Sequence, residues 1–213
     1  IGAMVGPEAF TEVRYLAHAK QLQALDRLPE LAREFKEVFG RDSGGLVKPY
    51  QLDDAETIVI ALGSVLGTIK DTVDDLRAEG VKIGVLGITS FRPFPIEAIR
   101  AVTGHAKRIV VIEKCFAVGI GGIVSRDVRS AVQSRPQPVY AVVAGLGGRA
   151  ITKASLHKLL LQAIEDKLEL LTFLDLDWGI VNRVLEREKQ QRRSGPVAEG
   201  ILRDIGTVSS KIG

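Results

Sequence analysis

Four stretches of this chain hold residue types that could do chemistry. Gly119-Ile-Gly-Gly122 follows an apolar run that closes on Glu113, and glycines that open a helix leave backbone N–H groups facing an anion. The dinucleotide fingerprint requires G-x-G-x-x-G directly after a strand, with an acid about twenty residues later. Here residues 114–118 intervene and position 124 is Val124, so NAD fits poorly. A phosphate, a partner's backbone, or a tight turn that packs the helix remain the readings for this loop. Residues 63–70, Gly63-Ser-Val-Leu-Gly-Thr-Ile-Lys70, lack the phosphate-loop spacing, and Ser64 reads better as a helix N-cap. Glu113 ends a strand, where catalytic acids often sit, yet Lys114 and Arg92 are ready ion-pair partners for it. Arg149, after Gly145-Leu-Gly-Gly148, suits a carboxylate, a phosphate or a surface salt bridge. Cys115 has no local His or Asp that would mark a nucleophile and reads as a small core residue. His18, His105 and His157 are scattered and form no dyad. These residues alone do not specify a reaction.

The elements that must position them are legible in the pattern. Residues 57–63, Thr57-Ile-Val-Ile-Ala-Leu-Gly63, form an apolar run ending in glycine, as expected of a strand buried on both faces. A helix follows over 64–79, with Val65, Ile69, Val73 and Leu76 on one face and Gly80 as its stop. Further strands are predicted over 81–88, 108–113 and 139–144, with helices from 96 to about 102, through Val132, and over 151–164, the last capped by Thr152 or Ser155. Alternating strands and helices predict an α/β fold: a doubly wound, mostly parallel, Rossmann-like sheet with helices on both faces. Ligands in such sheets collect at the carboxyl ends of the strands, where loops 63–64, 89–95, 113–122 and 145–149 all lie. Upstream, residues 7–39 are helical by pattern, with Pro29 placed to start a second helix and Gly40 to end it. Lys48-Pro-Tyr-Gln-Leu52 reads as extended. Three regions result: an N-terminal helical segment and linker over 1–54, the α/β domain over 55–165, and a C-terminal helical arm over 166–213.

Composition narrows the function classes. The 213 residues are 46% hydrophobic and 26% charged, the balance of a globular protein that needs no covalent staple. A single cysteine excludes an internal disulfide framework and an iron–sulfur cluster held by this chain alone. Three dispersed histidines leave no zinc spacing. Of the net charge of +3, all of it resides in residues 181–213, where seven basic residues face four acidic ones. Arg187, Arg192 and Arg193 there, interleaved with Glu186 and Glu188, read as a solvated helical face. The remaining 180 residues are balanced, which argues against a nucleic-acid footprint. No apolar stretch approaches the roughly 20 residues of a membrane span, and nothing in the sequence resembles a signal peptide. A cytoplasmic location is expected. The first residue is Ile1, and the opening reads as the interior of a longer protein.

A series of stretches in fixed order resembles one family. They are Pro7-Glu-Ala-Phe-Thr-Glu-Val-Arg-Tyr15, Ser43-Gly-Gly45, Ala55-Glu-Thr-Ile-Val-Ile-Ala-Leu-Gly-Ser64 and Ser90-Phe-Arg-Pro-Phe-Pro95. Glu113-Lys114 through Gly119-Ile-Gly-Gly122, then Ala144-Gly-Leu-Gly-Gly148 and Leu174-Asp-Leu-Asp177 complete it. Together they resemble the α subunit of thiamine-diphosphate-dependent pyruvate (2-oxoacid):ferredoxin oxidoreductases, over nearly the whole chain. The resemblance implies that residues 55–163 are a transketolase C-terminal-like domain and that residues 1–50 are the tail and linker of a preceding pyrimidine-binding domain. It implies an enzyme that decarboxylates a 2-oxoacid on thiamine diphosphate, passes electrons through iron–sulfur clusters to ferredoxin, and transfers the acyl group to coenzyme A.

By the same resemblance this chain carries no catalytic, cofactor-binding or metal-binding residue. Thiamine diphosphate, magnesium and the clusters belong to the whole complex, with a thiamine-binding β subunit, a γ subunit and a ferredoxin-like δ subunit as partners. Candidate interface positions are Arg92, Pro93, Phe94, Glu113, Gly119, Gly121, Gly122 and Arg149. Two other classes remain open on sequence: a stand-alone phosphate- or nucleotide-binding α/β module, and an interaction protein without chemistry.

Overall fold

The computed structural model describes residues 4–133, 135–190, 200–202 and 205–206. Two units are distinguished, residues 1–174 and residues 175–213.

The first unit is built on a six-stranded sheet of order β1-β3-β2-β4-β5-β6. Its strands are β1 (Val47–Tyr50), β2 (Thr57–Ala61), β3 (Ile83–Ile88), β4 (Arg108–Glu113), β5 (Val139–Val143) and β6 (Leu171–Phe173). Strands β2 to β6 are parallel, and β1 joins β3 antiparallel with Val47 opposite Ile88. Every residue of β2, β3 and β5 is buried, which is why these strands read as unbroken apolar runs. The helices are α1 (Phe10–Phe39), α2 (Val65–Ala78), α3 (Ile96–Thr103), α4 (Val124–Val132) and α5 (Lys153–Ile164).

Two apolar cores lie on opposite faces of the sheet. One packs Ile69, Val73 and Leu76 of α2 and Leu156 and Leu160 of α5 on Val59, Val85, Val110 and Val142. The other packs Ile99 of α3 and Val124, Val128 and Val132 of α4 on Ile58, Ile60, Leu86 and Ile109. Alternate residues of β2 and β4 thus feed opposite cores, as the two-residue period of a strand requires. Truncating one of these fully buried Ile or Leu side chains to Ala costs about 2–5 kcal/mol. The doubly wound, mostly parallel sheet expected from the sequence is therefore the observed α/β architecture.

Some elements depart from the sequence reading. Residues 10–39 form one continuous helix with Pro29 inside it, not two. Proline there removes the N–H that would meet Leu25, a loss tolerated on a helix with no buried residue. Gly40, at φ 65°, ends the helix with its N–H on Lys36 O. Residues 47–50, read as merely extended, are a sheet edge strand. Gly84 makes that pairing possible, because a Cβ at this position would lie 2.3 Å from Gln51 O. Thr152, one of the two candidate caps, is the cap of α5: its hydroxyl accepts the Ser155 N–H at 3.1 Å.

At the amino edge of the sheet Arg108 Nε and Nη2 donate to the two Asp166 carboxylate oxygens at 3.1 Å each, and Tyr140 Oη donates to Asp166 at 3.2 Å. The Arg108 hydrogen bond holds the Asp166 carboxyl below its ordinary range. Burial first, and the Asp166 charge second, push the Tyr140 phenol up.

The second unit holds α6 (Trp178–Gln190), whose first turn is capped by Asp177 Oδ1 accepting the Ile180 N–H at 3.0 Å. Arg192 and Arg193, read above as part of a solvated face, lie outside the described residues. No helix among the described residues is long and apolar enough to cross a membrane.

Candidate functional site: the carboxyl edge of the sheet

Glu113 is the last residue of β4, so its side chain emerges where the parallel strands end. The chain then runs out through residues 114–123 and returns to start α4. Inside that excursion Ala117 and Gly121 exchange backbone hydrogen bonds at 2.8 and 2.9 Å, which folds the loop back on itself. The return places the start of α4 directly over the Glu113 carboxylate. Its Oε2 accepts the Ile123 and Val124 N–H groups at 2.8 and 2.7 Å, and its Oε1 accepts the Ser125 N–H at 2.9 Å. Glu113 is only 5% exposed. A buried carboxylate with three charge-assisted donors at a positive helix end is a satisfied group.

This arrangement revises the sequence reading of the loop. The anion at the start of α4 is supplied by the chain itself, so phosphate or a cofactor diphosphate does not fit there. Glu113 does not pair with Lys114 or Arg92. Gly122 is required by contact: an added Cβ would lie 1.9 Å from Glu113 Oε1 and 2.6 Å from Ser125 Oγ. Gly119 and Gly121, at φ 84° and 107°, turn the chain back. That turn leaves Val118 and Ile120 projecting, 89% and 59% exposed.

The 89–95 loop lies beside this one. Arg92 Nη2 donates to Asp127 in the first turn of α4 at 2.8 Å. Its guanidinium also lies 4.1 Å from the Phe91 ring centroid. Phe91 and Phe94 meet edge to face at 6.5 Å. Pro93 is buried, and its carbonyl accepts the Ser90 hydroxyl at 3.0 Å. The two loops predicted to act at interfaces are thus tied together through the start of α4.

Between β2 and β4 the strand order reverses, and a cleft of about 450 Å³ opens at that point. It brings together three of the four carboxyl-edge loops through Gly63 and Ser64, Lys114 and Cys115, and Gly145 and Arg149. The 89–95 loop is not part of it. Two sequence expectations fail here. Ser64 makes no capping hydrogen bond, because its backbone is already helical at φ −65°, ψ −24°. Cys115 is exposed and lines the cleft instead of filling a core. Strand burial ends at Glu113, and the two following residues face outward. No spacing rule signals that exit. Among the described residues no three His, Cys, Asp or Glu side chains converge as a metal site.

The geometry defines a parallel α/β module with one sealed helix end and one open cleft at the reversal of strand order. Its sequence is more specific. Residues 55–156 match the family model of the pyruvate:ferredoxin oxidoreductase core domain II, and the chain belongs to the pyruvate:ferredoxin oxidoreductase family through this domain. The pyruvate synthase subunit PorA of Methanosarcina barkeri is 42% identical over 162 residues, covering 75% of this chain and 40% of that protein. The ketoisovalerate oxidoreductase subunit VorA of Pyrococcus abyssi is 32% identical over 154 residues, covering 71% of this chain and 39% of that protein. The chain therefore spans about two fifths of the length of these relatives. Among solved structures, a 2-oxoglutarate:ferredoxin oxidoreductase from Magnetococcus marinus matches with 16% identity and a TM-score of 0.42, covering 64% of this chain and 21% of that one.

Proposed function

We propose that this chain is part of the α subunit of a pyruvate (2-oxoacid):ferredoxin oxidoreductase and that its own work is to assemble subunits and domains. The complex would decarboxylate a 2-oxoacid oxidatively, deliver the acyl group to coenzyme A and pass the electrons to ferredoxin, in the cytoplasm. Thiamine diphosphate, magnesium and the clusters would be held by other parts of the complex, including a thiamine-binding β, a γ and a ferredoxin-like δ subunit. Residues 55–165 would be the transketolase C-terminal-like domain, flanked by the linker over 1–54 and the arm over 166–213.

The observation that carries this reading is α1. It is a 30-residue helix with no buried residue, yet Phe10, Leu16, Leu31, Phe35 and Phe39 along it are 36–60% exposed. A helix stabilised by packing of its apolar side chains needs a surface to pack against. The sealed start of α4 and the projecting Val118 and Ile120 support the same division of labour. This part of the carboxyl edge presents shape and apolar contact, with its anion-binding donors already occupied.

Reconstitution with the thiamine-binding and cluster-bearing subunits tests it. Stoichiometric co-elution with those subunits is expected, and 2-oxoacid- and coenzyme-A-dependent reduction of ferredoxin is expected only when the rest of the α subunit is present as well. Val118→Asp with Ile120→Asp is expected to weaken assembly at least tenfold without changing the unfolding midpoint of the free chain. Turnover by this chain alone, or a partner set that is fully active without it, would overturn the proposal.

A further inference from the structure

At the amino edge of the sheet an open pocket of about 630 Å³ is lined by residues that precede β4 and β5. They include Gly104 and Lys107 from the end of α3 onward, and Arg135 and Gln137 from the segment leading into β5. No carboxylate is among its described lining residues. Arg135 Nη1 and Gln137 Nε2 are buried there, and neither has a hydrogen-bond partner among the described residues. Buried donors in folded proteins are nearly always paired, so two orphans in one pocket call for an acceptor. The room for the guanidinium is made by Gly104, where a Cβ would lie 2.9 Å from Arg135 Nη1 and 3.3 Å from Nη2. Gly104 has an ordinary helical backbone, φ −61° and ψ −32°, so the close approach and not the conformation explains a glycine here. Arg135 and Gln137 each precede a proline, which narrows the backbone freedom of both. Two donors are thus presented with little freedom left to lose on binding.

We propose that this pocket binds a carboxylate group, accepted from Arg135 Nη1 and Gln137 Nε2. Two donors and one positive charge match the two oxygens and the single charge of a carboxylate. Lys107 adds no second free charge, because its Nζ is engaged by Glu56 at 2.7 Å. A doubly charged phosphate fits less well. Helix α3 ends at Thr103, beside Gly104, and α4 ends at Val132, shortly before Arg135; carboxyl ends of helices carry partial negative charge. The pocket lies at the opposite edge of the sheet from the loops read as interfaces, and the proposal does not depend on the assembly role.

Nitrogen-15 NMR of the full chain at neutral pH reads the site through the Gln137 side-chain amide, assigned by its loss in Gln137→Met. The probes are propionate and a capped Gly-Glu-Gly peptide, with propionamide and the matching Gly-Gln-Gly peptide as neutral counterparts of the same shape. At least one carboxylate is expected to shift the Gln137 amide saturably, and its neutral counterpart to bind at least tenfold more weakly. Tighter binding of propionate points to a free small molecule, and tighter binding of the peptide to an acidic side chain on a protein. Inorganic phosphate is expected to bind more weakly than the better carboxylate. Arg135→Met should weaken binding at least tenfold with the urea midpoint unchanged or raised, because the guanidinium has no partner to lose. Gly104→Ala, whose methyl would displace the guanidinium, should weaken binding at least threefold. Equal binding of the neutral counterparts, tighter binding of phosphate, a lowered midpoint in Arg135→Met, binding that survives Arg135→Met, or no shift with any probe would each overturn the proposal.

Discussion

Replacing Gly122 with Ala tests whether the Glu113 carboxylate fastens α4 to the sheet. The added methyl would stand 1.9 Å from Glu113 Oε1, well inside contact distance. Gly122 is not among the glycines with positive φ, so the substitution brings no backbone strain of its own. The carboxylate must swing away, and the Ser125 N–H on Oε1 is the first bond to go. Hydrogen bonds to a charged group contribute about 1.5–3 kcal/mol each, and losing the one on Oε1 while lengthening the two on Oε2 gives an expected cost of roughly 2–4 kcal/mol. With a slope of about 2 kcal/mol per molar urea, the unfolding midpoint should fall by roughly 1–2 M. Glu113→Ala leaves the three N–H groups without their acceptor and should cost about 3–5 kcal/mol by itself. In that background the clash with Oε1 is gone, so Gly122→Ala should become at least about 1 kcal/mol cheaper. The assay is equilibrium urea unfolding of the four chains of this cycle. A Gly122→Ala cost below about 0.5 kcal/mol, or a cycle additive within about 0.5 kcal/mol, would refute the reasoning.

Two further outcomes follow from the same physics. Thr152→Ala removes the hydroxyl that accepts the Ser155 N–H at the start of α5 and should lower stability by about 1 kcal/mol in the same urea assay. Asp166→Asn should flatten the acid limb of the stability curve: the folded carboxyl lies below its ordinary range, so its contribution is complete above that range and is lost as pH falls through the folded value. Asn is the right replacement because residue 166 sits at φ 54°, which Asn tolerates. Thermal unfolding between about pH 2 and 7 checks it, and parallel curves for the two chains would count against the Asp166–Arg108 pair.

The central strands were legible because each is buried on both faces and so reads as one apolar run; β4 spans residues 108–113 in pattern and structure alike. The edge strands were not. Val47–Tyr50 buries none of its residues fully, and Leu171–Phe173 is half-buried throughout, so neither leaves a periodic trace. Pro29 suggested a helix start because sequence rules weigh its missing N–H more heavily than the helix on either side of it. At the carboxyl edge the address of Glu113 was readable and its partners were not. They are main-chain N–H groups ten to twelve residues away, and backbone donors have no side-chain signature. The exposure of Cys115 was hidden for a related reason: where β4 ends is a property of the sheet register.

Both ends of the sheet are blunt. At one, β1 has four residues, with Lys48 exposed and Pro49 offering no N–H; at the other, β6 has three. A long, flat edge would invite another chain to extend the ladder, and short strands with lysine and proline discourage it. Any protein that docks here must therefore read side chains, not continue the backbone pairing. Recognition built that way can be retuned one residue at a time, and blunt edges of this kind disfavour polymerisation of the chain with copies of itself.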